Sequence, residues 1–185
     1  MAKIKKAPAS EEELHEMLAE TESGARNPTG AFPKKVLFYV PLAWTLFQLW
    51  YASPLPFIFN FGVFNSTEAR AIHLAFAIFL SYTAYPTFKS SPRDYIPIQD
   101  WLVALVGAFC SAYLYIFYES LSQRPGMPTQ TDLIVSIIGL ITLLEATRRA
   151  LGPPLMVVAT VFIIYTFGGA YMPDVIAHKG ASLSK

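Results

Sequence analysis

The sequence predicts an all-α membrane protein, a bundle of about five transmembrane helices with short loops and an N-terminal cytoplasmic helix. Three observations predict it. Hydrophobic residues fill 54% of the 185 positions and charged residues only 15%, where a soluble domain carries about 25%. Five runs meet or approach the roughly 20 apolar residues a helix needs to cross a bilayer. Stretches such as VLFYVPLAWTLF, LIVSIIGLITLL and LMVVATVFIIY are apolar all round, whereas helices of a soluble bundle keep a polar stripe for water.

Residues 1–31 precede the first run and read as a cytoplasmic tail. Lys3, Lys5 and Lys6 are followed by the acidic, helix-forming SEEELHEMLAETES, not by the apolar core that a cleaved signal places behind its basic residues. Leu14, Met17 and Leu18 give that segment a narrow apolar strip suited to docking on a protein. GARNPTGA, residues 24–31, reads as a turn and linker.

The five runs fill residues 32–172, a single transmembrane domain. The first, 32–53, contains Pro41, which a membrane helix tolerates. The second is 68–88 and the third 99–121. The fourth, 131–152, opens on Thr131 and Asp132 as an N-cap signal and stops at Gly152. The fifth, 153–172, opens on Pro-Pro, which suits a first helical turn whose amides have no intrahelical partner. Residues 173–185 form a periplasmic C-terminal tail. With the N-terminus cytoplasmic, ten Lys and Arg residues lie inside and four outside, the distribution that the positive-inside rule prefers.

One stretch interrupts the apolar half: LLEATRRALGPPL, residues 143–155. Arg148 and Arg149 fall at a helix C-terminus on the cytoplasmic face, where the helix dipole and lipid phosphates both favour a cation. Glu145 lies three and four residues earlier and can pair with one or both. Two readings stand side by side. The residues form a membrane-edge anchor, or Glu145 with Arg148 or Arg149 makes a polar contact to a second subunit, since ionisable residues in spans face protein or water. Ala104, Gly107, Ala108, Ser111 and Ala112 mark a face of the third run where another helix can approach closely, so Gly107 and Ser111 join the candidate interface residues.

Chemistry finds no footing in the sequence. There are no paired carboxylates at a pocket-like spacing, no nucleophile with a base, no phosphate loop and no metal-ligand cluster. Cys110 lies alone in an apolar run, and His15, His73 and His178 are far apart. The reading therefore assigns no catalysis, no substrate ligand, no metal and no cofactor. The scattered basic residues argue against nucleic acid. What the chain offers is surface for partners.

Three segments carry a family likeness: NSTEARAIHLAFAIFLSYTAYP at 65–86, TRRALGPPL at 147–155 and the closing IAHKGASLSK. Together they resemble the N-terminal small membrane component of fused permeases of TRAP (tripartite ATP-independent periplasmic) transporters, in the subgroup served by TAXI-type binding proteins. The resemblance runs from about residue 65 to the end. It implies an inner-membrane system of bacteria or archaea that takes up organic acids. A periplasmic binding protein captures the substrate, a large permease subunit moves it on an ion gradient, and the small subunit braces the scaffold. Family small subunits have four principal spans and, in fusions, a connecting helix, which the fifth run fits. The chain ends where the large component of a fusion would start, so the large subunit is either a separate chain or the rest of a fusion. The resemblance supplies no substrate or cation ligand among these residues. The periplasmic loops, 54–67 and 122–130, are expected to help dock the binding protein. The alternative reading is a small polytopic accessory protein that stabilises or regulates an unrelated membrane complex.

Overall fold

A computed structural model describes residues 24–88, 90–173 and 176–180. Among them every regular element is helical: α1 (Ala31–Ala52), α2 (Leu55–Phe59), α3 (Ser66–Ala84), α4 (Ile98–Ile116), α5 (Tyr118–Ser122), α6 (Gln130–Leu151) and α7 (Pro153–Gly168), followed by a 3-10 turn, Gly169–Tyr171. The expected acidic helix, 10–23, lies outside the described residues.

The helices begin and end where backbone chemistry dictates. Asn65 caps α3, its side chain accepting from the Thr67 and Glu68 amides at 2.9 Å while Glu68 accepts from the Asn65 amide. At α6 the expected cap, Thr131 with Asp132, is displaced: Thr129 is the cap and Asp132 its capping-box partner. Gly152 alone joins α6 to α7, at a φ of 87° that favours glycine. The Pro153–Pro154 pair then starts α7 without costing an intrahelical bond. The third run, expected as one helix over 99–121, breaks at Phe117 into α4 and α5.

The core lies between α3, α4 and α6. Ile78 and Tyr82 of α3 pack with Ala104 of α4 and Ala146 of α6, and the small residues of α4 permit the approach. A Cβ on Gly107 would stand 2.7 Å from Ile78 Cγ2 and 3.3 Å from Thr142, so a larger residue there would force its neighbours apart. α1 leans on α3 through rings, with Trp44 4.8 Å from His73 and Phe47 6.4 Å from Phe76 between centroids. Beyond α7, the tail folds back: the His178 amide donates to Gly169 O and its ring contacts Tyr165.

The expectation of about five spans is met only in part. Among the described residues one helix, α4, is both long and apolar enough to qualify as a span by length and composition; α7 is apolar but has 16 residues. The physical reason lies at the helix ends. α1 begins with Lys34 and Lys35, α3 with Glu68 and Arg70, and α6 carries Asp132 at one end and Glu145, Arg148 and Arg149 at the other. Those charges dilute helices whose central stretches, 36–52, 71–84 and 133–144, contain no Asp, Glu, Lys or Arg.

Candidate functional site

Four chain segments converge at one end of the bundle. They are residues 24–30 leading into α1, the C-terminus of α3, the N-terminus of α4 and the C-terminus of α6. Each brings charge or carbonyls to the helix end its dipole prefers. Asp100 lies in the first turn of α4, and Arg148 and Arg149 in the last turn of α6. Arg26 reaches the C-terminal carbonyls of α3, donating from Nη1 to Tyr82 O at 3.0 Å and Thr83 O at 3.4 Å.

The charges form one continuous chain. Arg26 Nη2 pairs with Asp100 Oδ2. The other Asp100 oxygen takes Arg149 Nη1 at 3.0 Å. Glu145 accepts from Arg149 Nε at 2.8 Å, and from Arg148 Nε and Nη2 at 2.7 Å, a bidentate fork. Arg148 also donates to Thr87 O at 2.9 Å, across 61 residues of chain. Arg149 stacks on the Tyr82 ring, 4.4 Å from its centroid, and the Tyr82 hydroxyl donates to Thr142 O at 3.0 Å. The side chains of Arg26, Asp100 and Arg149 are 0%, 3% and 6% exposed, against 29% for Glu145 and 26% for Arg148.

Main-chain bonds clamp the entering segment as well. The amides of Arg26, Asn27 and Thr29 donate to Ala84 O at 2.7 Å, Arg93 O at 3.0 Å and Asp94 O at 2.8 Å. The expected turn and linker at 24–31 is thus an ordered strap. Its amides are satisfied by the last residue of α3 and by the α3–α4 loop.

Among the described residues three guanidiniums share two carboxylates, which leaves one positive charge in excess, and Arg26 Nε is buried without a hydrogen-bond partner. Such an arrangement fastens helices and fixes their register. Removing one partner of a buried pair leaves the other charge uncompensated, at a cost of about 3–5 kcal/mol.

The sequence-predicted residues divide between this end and the core. Glu145, Arg148 and Arg149 meet at the charged end, and the carboxylate pairs with both guanidiniums. Gly107 and Ser111 sit elsewhere, buried on the α4 face that this chain's own α3 and α6 cover. Ser111 donates back to Gly107 O at 3.0 Å. Sequence reasoning missed the pairing of Arg26 with Asp100. Nothing local marks either residue, because their pairing spans 74 positions. The opposite end carries a smaller cluster, in which Tyr113 donates to Asp132 at 2.6 Å and Arg124 pairs with it at 2.8 Å. Among the described residues no group of three or more His, Cys, Asp or Glu side chains is placed to hold a metal ion.

No protein family, curated protein or solved structure gave a match to this chain.

Proposed function

We propose that the chain is the small membrane subunit of a TRAP transporter, lodged in the inner membrane with its charged end cytoplasmic. There it braces a large permease subunit that takes up organic acids with a TAXI-type binding protein. The observation that carries this reading is α7. Its sixteen residues contain no charge and none of them is buried, so in water the helix would expose an apolar cylinder far larger than an isolated surface patch. α1 likewise buries none of its residues. Helices of 22 residues are about 33 Å long, close to the ~30 Å hydrocarbon thickness.

Two further observations support the reading. The Asp, Glu, Lys and Arg side chains of the longer helices lie toward their ends and leave the central stretches free of them, as where a helix crosses lipid. The sequence segments at 65–86, 147–155 and the C-terminus also carry the family likeness. The rest of the protein does what a brace requires, since the ion-paired network at the charged end ties α3, α4 and α6 together.

The test is purification from native membranes in mild detergent, with mass spectrometry of everything retained. A stoichiometric permease of many spans is expected. Recovery of the chain alone, from membranes where such a permease is present and survives extraction, would sink the proposal and favour an accessory role in another complex.

A further inference from the structure

Arg70 differs from the guanidiniums at the charged end and from Arg124. It is exposed and makes no hydrogen bond or ion pair among the described residues, although Glu68 lies on the same helix turn. Glu68 is committed to the Asn65 amide. Two grooves meet at Arg70 and at Leu74, one turn further along α3. The first, between α1 and α3, holds about 600 Å³ and is walled by Phe47, Gln48, Tyr51, Ala52 and His73. The second, between α3, α4 and α6, holds about 450 Å³ and includes Ala71, Cys110, Leu114, Ser136 and Leu140. Both volumes lie in the ~300–1,000 Å³ range of small-molecule sites.

The polar groups at this junction include N–H donors. Trp44 Nε1 lies 3.2 Å from His73 Nδ1, as does Gln48 Nε2. An indole N–H can only donate, so His73 Nδ1 is the acceptor and a ring hydrogen sits on Nε2. His73 lies three residues after Arg70, on the same helix face. Asp132 lines the second groove, but its carboxylate is taken by Tyr113, Arg124 and the Thr129 amide. The junction therefore presents an unpaired cation and an N–H donor over two apolar troughs that share one wall.

That combination is complementary to an amphiphile with one anionic group and two apolar chains. We infer that Arg70 binds the phosphate of a two-chain phospholipid whose acyl chains lie one in each groove. The inference rests on the membrane reading above, and depth agrees with it. Arg70 is the fifth residue of α3, about 6 Å along the helix axis, near the level where an interfacial arginine meets headgroup phosphates.

The test begins with the full chain extracted in maltoside detergent, its retained phospholipid counted by native mass spectrometry. Wild type should keep one diacyl phospholipid per chain, and Arg70→Gln should lower its occupancy about tenfold. The fold should survive this change, because Arg70 has no partner within the described residues. As a second variant, Ser136→Phe fills one groove at an exposed position without touching the charge; it should release the diacyl lipid and still hold a one-chain lysophospholipid. Thermal unfolding then separates the sources of phosphate. Added dioleoyl phosphatidylglycerol should raise the midpoint of wild type and not of Arg70→Gln, and inorganic phosphate should move neither.

Equal lipid retention by wild type and Arg70→Gln would overturn the inference. Equal protection by inorganic phosphate would replace the lipid by a free anion, and preference for a one-chain lipid would remove the second trough. Carbonate washing of membranes separates the two levels of failure. A chain released by carbonate defeats the membrane reading itself, whereas an embedded chain with lipid retention unchanged in Arg70→Gln defeats only the lipid site.

Discussion

At the charged end of the bundle, Arg26, Asp100 and Arg149 are almost wholly enclosed and joined through one carboxylate. Sixteen residues of α7, reached from Arg149 by a turn of the chain at Gly152, enclose nothing. Val161, Phe162 and Ile164 are each more than half exposed. The first region spends its chemistry inward: every carboxylate oxygen is matched to a guanidinium of the same chain. The second leaves its apolar surface uncovered. The protein fastens itself at one end and leaves bare hydrophobic faces along its sides, the contrast on which the proposed bracing role rests.

The largest effect expected from disturbing this contrast is at Asp100. Asp100→Ala leaves the buried Arg26 without its carboxylate and Arg149 with Glu145 alone, and unfolding in detergent micelles should become easier by about 3–5 kcal/mol. A circular-dichroism melt checks this; a loss under 1 kcal/mol would mean that water or lipid reaches the guanidiniums. Next is Gly107→Ala, which drives a methyl group against Ile78 and should cost about 1–3 kcal/mol through overpacking. Tyr82→Phe removes one hydrogen bond, to Thr142 O, and leaves the ring under Arg149. It should cost only about 1 kcal/mol. Smallest is Phe162→Ala, expected to shift the unfolding of the isolated chain by less than about 0.5 kcal/mol. In native membranes the same change should lower the yield of complex with the permease, so the two readouts together separate an outward face from a core one.

How far the sequence revealed this arrangement depends on how local each signal was. The α6–α7 turn was legible because Gly152, Pro153 and Pro154 carry their own backbone restrictions, and Glu145 pairs with Arg148 and Arg149 because a helix places those positions side by side. Close approach at Gly107 was readable from small residues at helical spacing, but which helices would fill the face was not. Their contacts come from Ile78 and Thr142, 29 and 35 positions away. The cap of α6 was misplaced by two residues, since Thr129 and Thr131 are equally good acceptors and only the geometry of Asp132 chooses between them.

Arg26 was the most consequential miss. A single arginine in GARNPTGA has the composition of a solvated linker, and its burial depends on Asp100 and on the free carbonyls at the end of α3, none of which is near it in sequence. The count of spans was the coarsest reading. Run lengths marked the helix positions well, but charges at the ends leave α4 alone meeting the length-and-apolarity criterion among the described residues.

The outward role of α7 is the central claim, and photo-crosslinking in native membranes tests it most directly. A photoreactive amino acid at Phe162 on the exposed face should yield a discrete adduct with a polytopic permease. The same probe at Ile78, which is 1% exposed in the core, should yield none. Adducts from position 162 to lipid alone, in membranes that contain the assembled permease, would contradict the account.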